Sequence, residues 1–223
     1  SKVVVVGYGD KGKSIRSEGY KEVVDSYWDK DKVEFEWSNS EIHGLVSHYN
    51  KWGDNFKILK GGVNEKDIPP LKKTYVSVPQ SVIHAGGKVK FKDIKWKGTY
   101  QLNPFPIVDG AKRFTKGMYE KDTLHCLSFH MKKILDIGRG GAILTDDEEA
   151  VEWLKQARFD GRHEVPLHHD EFKILGWNMY MTPEQAGRGL WKMMGLPEYN
   201  KDQSETPPYP DLSKYTIFTE ANR

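Results

Sequence analysis

The chain has 223 residues, 37% of them hydrophobic and 30% charged, with a formal net charge of +2. That balance argues against a nucleic-acid or membrane-surface partner. The longest aliphatic run, Val3 to Val6, is far too short to span a bilayer. The single cysteine, Cys126, leaves no partner for an internal disulfide. No signal peptide is expected, because charges interrupt any apolar stretch near the first residues. The eight histidines show no metal-ligand spacing. A cytoplasmic protein without a metal is the simplest expectation.

The chain opens with "KVVVVGYGDKGKS", a strand pattern running into a glycine-rich loop. Gly7, Gly12, Lys13 and Ser14 fit the P-loop pattern G-x-x-x-x-G-K-[ST]. Gly7, Gly9 and Gly12 also fit the dinucleotide pattern G-x-G-x-x-G. Both patterns describe a strand turning into a helix N-terminus, where backbone N–H groups can receive a phosphate. An ATP-type site, an NAD-type site and a plain tight turn all remain open here. "KSIRSEGYKEVVDSYW" then reads as an amphipathic helix and "VEFEW" as a half-buried strand. "NSEIHGLVSHYNKW" reads as a second helix and "NFKIL" as another strand. Residues 60–73 hold turn formers and lysines and mark the one candidate boundary. It divides the chain into an N-terminal α/β segment, 1–73, and a second region, 74–223, unless both form one continuous domain.

Beyond the boundary, "TYVSV" reads as a strand, "QSVIHAG" as a short helix, and "KVKFKDI", "FPIVD", "LHCLSF" and "GAILT" as strands. "DDEEAVEWLKQARFDG" is a helix with Thr145 as its expected N-cap and acids in its first turn. Residues 161–181 are irregular. "TPEQAGRGLWKMM" opens with Thr182 as N-cap, Pro183 at N1 and Gln185 at N3, a capping-box pattern. After Gly195 the proline-rich chain is expected to meander over the surface. Alternating strands and helices imply an α/β fold, a mostly parallel sheet sandwiched by helices.

The segment "LHCLSFHMKKILDIGRGGAILT", residues 124–145, carries more specific chemistry. Ser128, Phe129, His130 and Lys133, then Gly138, Gly140, Gly141 and Thr145, resemble a signature of the DegT/StrS family. These are nucleotide-sugar aminotransferases that use pyridoxal phosphate. "PIVDGAKRF" resembles the family's Ile-Glu-Asp-Ala-Ala-Gln stretch, and "GWNMYMTPEQA" its Gly-x-Asn-x-Arg-Met stretch and following helix. The three segments stand in the family's order and cover roughly residues 74–194.

The resemblance implies the large-domain fold of the aspartate-aminotransferase-like enzymes. It makes Lys133 the counterpart of the Schiff-base lysine and Asp109 the acid that pairs with the cofactor's pyridine nitrogen. Ser128, His130 and Lys112 become candidate cofactor contacts, and Ser40 the candidate at a phosphate-binding turn. Asn178 falls where a residue reaches across a homodimer interface to the neighbour's cofactor phosphate. The expected reaction moves an amino group from an amino acid to a keto sugar or nucleotide-linked sugar. This suits the residue types, since an amine can attack an aldehyde and then shuttle a proton, and a carboxylate keeps a ring nitrogen protonated.

The sequence departs from the pattern at Lys112, where the family has Gln or His, at Arg139 for a glutamate, and at Tyr180 for an arginine. Glu41 falls beside the phosphate-turn candidate. The family's C-terminal small domain is expected to be missing or reduced to the tail. A catalytically reduced relative, or a nucleotide-binding protein using residues 7–14, is therefore a second reading.

Overall fold

The computed structural model describes residues 70–84, 88–204 and 208–220, together with the backbone of residues 2–3, 37–38 and 67–68. Three of the apolar runs form its centre. They are β6 (Ile107–Asp109), β7 (Leu124–Ser128) and β8 (Gly141–Thr145). β6 and β7 pair in parallel, with Asp109 opposite Cys126. β7 and β8 pair antiparallel, with Ser128 opposite Gly141. The far edge of β8 pairs with β1 (Lys2–Val3) and β2 (Trp37–Ser38), and β5 (Tyr100–Gln101) closes the other side on β6. A separate two-stranded parallel sheet joins β3 (Asp67–Ile68) to β4 (Lys88–Val89).

Strand alternation sends successive side chains to opposite faces. Leu124, Cys126 and Ile143 meet Val78 and Val82 of α1 (Ser77–His84) and Ala150 of α2 (Glu148–Ala157). Leu127, Ala142 and Leu144 meet Met181 with Ala186 and Met193 of α3 (Pro183–Met194) on the other face. Helices therefore cover both sides of the sheet, as the sequence implied. A last short helix, α4 (Thr216–Glu220), follows a 3-10 turn at Leu212–Lys214. Among the described residues no helix is long and apolar enough to cross a membrane.

Several expectations change. Among the described residues the sheet is mixed rather than mostly parallel, with β6 and β7 its one pair running side by side in the same direction. A parallel return needs a crossover of a dozen or more residues, usually a helix. The link from β5 to β6 is a tight turn and returns antiparallel, whereas the links from β6 to β7 and from β7 to β8 both lack a helix and return in opposite senses. "TYVSV" is not a strand, because α1 already begins at Ser77, with Pro79 in its first turn, where its missing N–H costs nothing. Thr145 is not the N-cap of α2. It stays on β8, while Asp147 Oδ1 accepts from Ala150 N–H at 3.0 Å and caps the helix. The capping box of α3 stands as read, with Thr182 and Gln185 bonded reciprocally. The expected elements of residues 4–36 and 39–66 lie outside the described residues.

The tail past Gly195 does not simply meander over the surface. Lys116 N–H bonds Glu198 C=O, Arg113 grips Asp202 through two 2.8 Å contacts, Gln203 N–H bonds Lys112 C=O, and Leu212 N–H bonds Lys72 C=O. Residues 198–204 and 208–212 form a strap across one end of the sheet.

Candidate functional site

Under that strap, at the C-terminal ends of the parallel strands β6 and β7, lies a cavity of about 860 Å³. Crevices at the carboxyl ends of parallel strands are where α/β sheets gather ligands. Asp109 and Ser128 arrive there because each is the last residue of its strand. Asp109 is 3% exposed, and its Oδ1 accepts from Ala111 N–H at 2.9 Å. Tyr100 stands opposite it in the β5–β6 register, its hydroxyl 2.7 Å from Thr74 Oγ1. Burial, and then the charge of Asp109, push the Tyr100 hydroxyl well above its ordinary pKa. The same two causes, in the same order, raise the Cys126 thiol. A carboxylate in so dry a setting is a strong point of attraction for a cationic or proton-carrying ligand atom.

Lys133 is placed by a tight turn. Its N–H bonds His130 C=O at 2.8 Å, while Met131 N–H bonds Gly138 C=O and Phe129 N–H bonds Gly140 C=O. Gly138 and Gly140 sit at φ of 102° and 122°, a region in which side-chain-bearing residues are strained. This explains the spacing of the Gly-x-Gly-Gly run. It lets the chain double back beneath the lysine turn and enter β8. Phe129, Leu135 and Ile137 anchor the loop in the core below.

The cavity brings together Asp109, Lys112, Ser128, His130 and Lys133, five of the residues singled out from the sequence. Asn178 is not among them. It lies exposed on an isolated bridge to Phe159, with Nδ2 3.4 Å from Asp160 Oδ2. Gly7, Gly9, Gly12, Lys13, Ser14 and Ser40 lie outside the described residues. The sequence reading missed Trp96, Gln203 and Tyr209 on the wall and Tyr100 beside Asp109. Lys112 Nζ lies 4.9 Å from the Trp96 ring centroid and 4.4 Å from that of Tyr209. No local pattern joins Trp96 to Tyr209, since folding alone brings the two segments together.

Residues 110–209 match the model of the DegT/DnrJ/EryC1/StrS aminotransferase family. The chain is similar to the UDP-4-amino-4,6-dideoxy-N-acetyl-beta-L-altrosamine transaminase of Campylobacter jejuni, with 23% identity over 65% of this chain and 50% of that protein. Among solved structures, PseC of Helicobacter pylori, an aminotransferase of pseudoaminic acid biosynthesis, aligns with a TM-score of 0.58 and 18% identity. That match covers 82% of this chain and 58% of PseC. The aminotransferase TlmJ of Streptoalloteichus hindustanus aligns with a TM-score of 0.56 and 13% identity, over 84% of this chain and 60% of its own. The fold is thus that of the aspartate-aminotransferase-like enzymes, and the chain spans about half the length of the curated relative it matches. Enzymes of this family use pyridoxal phosphate. With a cavity that joins a buried strand-end aspartate to a lysine turn, and with the family model matching from residue 110 to residue 209, this region of the chain is similar to the DegT/DnrJ/EryC1/StrS aminotransferases.

Proposed function

We propose that the protein is a pyridoxal-phosphate-dependent aminotransferase of a keto sugar or nucleotide-linked sugar, with an amino acid as amine donor, acting as a cytoplasmic homodimer. The observation that carries this is the convergence of Asp109 and Lys133 on one cavity from the ends of β6 and the β7–β8 loop. The residue set fits the cofactor. A buried carboxylate suits a protonated ring nitrogen, a lysine suits an aldehyde, and the Ser128 hydroxyl suits a phosphate or ring oxygen. The cavity volume is ample for a cofactor and part of a substrate.

When bound, the cofactor supplies an electrophilic carbon and a ring that withdraws electrons from the carbon bearing the transferred nitrogen. The chain's own residues supply the rest. Asp109 holds a proton at the ring nitrogen and so keeps the ring electron-poor. Lys133 is the residue that would hold the cofactor at its aldehyde carbon, and its amine, once released, would take and return a proton of the substrate carbon that bears the nitrogen. Ser128 and His130, on the rim of the same turn, orient the cofactor. Gln203, Ser204 and Tyr209 of the strap line one side of the cavity. Asn178 and Ser40 serve the phosphate, Asn178 from the neighbouring subunit.

The purified protein should be yellow, or become so with added pyridoxal phosphate. Borohydride should abolish the visible band and fix the label on Lys133, and Lys133→Ala should show no reducible band. A chain that stays colourless with the cofactor would instead be a reduced relative that keeps the fold without the reaction, and residues 7–14 would then be the place to seek nucleotide binding.

A further inference from the structure

The aminotransferase reading uses Asp109 and Lys133 on the cavity wall and leaves Lys112 and Lys132 without a part. Among the described residues the cavity lining holds three ammonium groups, Lys112, Lys132 and Lys133, against one carboxylate, Asp109. Lys112 is the most enclosed of the three, only 6% exposed. The Trp96 and Tyr209 rings that hold its ammonium lie within 9° of parallel. Ring faces help to fix a cation in place. The strap secures this arrangement, because Gln203 N–H bonds Lys112 C=O at 2.9 Å and Gln203 Nε2 bonds Lys132 C=O at 2.8 Å. Tyr209 follows on the same strap. An enclosed ammonium held in place on the wall of a ligand-sized cavity suits an anion, and an ammonium serves a phosphate as a point charge.

We propose that Lys112, held by Trp96 and Tyr209, is the phosphoryl-binding cation of this cavity. The inference rests on the proposed function only in placing the ligand in the same cavity. Two sources carry the same group: the phosphate of the cofactor and the diphosphate of a nucleotide-linked sugar.

Binding to the 223-residue chain and to Lys112→Gln, measured by calorimetry, separates them. The paired probes are pyridoxal phosphate against pyridoxal, and UDP against uridine. Lys112→Gln should weaken one phosphorylated probe about 10-fold and leave its unphosphorylated partner within about 2-fold. Lys112→Arg should retain most of the affinity. Loss confined to pyridoxal phosphate assigns the cofactor's phosphate, and loss confined to UDP assigns the substrate's diphosphate. Equal loss for both members of a pair, or no loss in either pair, overturns the proposal. So does an unaltered chain that binds neither phosphorylated probe better than its partner. Should Lys112→Gln fail to fold, the salt dependence of the unaltered chain decides. Rising salt should weaken only the phosphorylated probes, and a flat response overturns the proposal. A chain that binds UDP in a Lys112-dependent way but takes up no pyridoxal phosphate would lose the aminotransferase reading and keep this one.

Discussion

His125 has no exposed surface, and neither of its ring nitrogens finds a hydrogen-bond partner among the described residues. It precedes Cys126 on β7, so alternation sends the imidazole to the other face of the sheet. There Nε2 fills the place a Cβ on Gly110 would occupy, which accounts for glycine directly after Asp109. Burial, and then the Arg113 guanidinium, pull the imidazole from its ordinary 6.5 down to about 4. In the unfolded chain His125 takes up its proton near pH 6.5, whereas in the folded protein it does so only near pH 4. Between those values the unfolded state binds more protons, so stability falls as the pH drops, by up to about 3 kcal/mol across the window. Urea unfolding at pH 7.5 and pH 4.5 should show most of that loss in the unaltered chain and much less in His125→Leu. Equal losses would remove His125 as the cause. The carboxylates held low by ion pairs, such as Asp202 beside Arg113, lose their contribution only at more acid pH, so they do not blur the comparison.

At the scale of elements, legibility followed the range of the forces involved. The capping box of α3 and the apolar runs of β6, β7 and β8 are local, and each was readable from a few adjacent residues. The places of Asp109 and Ser128 at strand ends are local in the same way, whereas Lys133 stood out only through the family resemblance, and a tight glycine-bounded turn places it. Sheet direction was not readable, since the helix-free links β6–β7 and β7–β8 return in opposite senses and no local pattern separates them. Nor was the strap, whose prolines and polar residues look like an unattached tail until Arg113 and Lys112 are brought beneath it. Its hold can be measured. Arg113 lowers the Asp202 carboxyl chiefly through their paired hydrogen bonds, and the Asp202 side chain is only 12% exposed. Removing this charge-assisted bidentate contact in Asp202→Ala should speed amide exchange at Gln203 about 10-fold and leave the β7 amides unchanged. An unchanged Gln203 amide would mean that Asn200 and Leu212 hold the strap without the ion pair.

For the whole molecule, the open question is what the second side of α3 faces. One side of the helix buries Ala186, Gly189 and Met193. The other presents Trp191 and Met194, 72% and 70% exposed and three residues apart on one stripe. Phe172 and Leu175, in the irregular stretch before it, are also exposed. Large apolar side chains left in water over neighbouring segments of one region are the mark of an interaction surface. Asn178 lies between these two groups in sequence and outside its own chain's cavity, which suits a residue that serves a neighbour. A second copy covering α3 would account for all of this. Trp191→Glu would place a charge at the centre of such an interface and leave the buried side of the helix untouched. Sedimentation velocity should then find the unaltered chain dimeric at micromolar concentration and Trp191→Glu monomeric, with an unchanged circular dichroism spectrum. The variant should also bind pyridoxal phosphate more weakly, because each site would lose its neighbour's Asn178. An unaltered chain that sediments as a monomer would remove the dimer and, with it, the role given to Asn178.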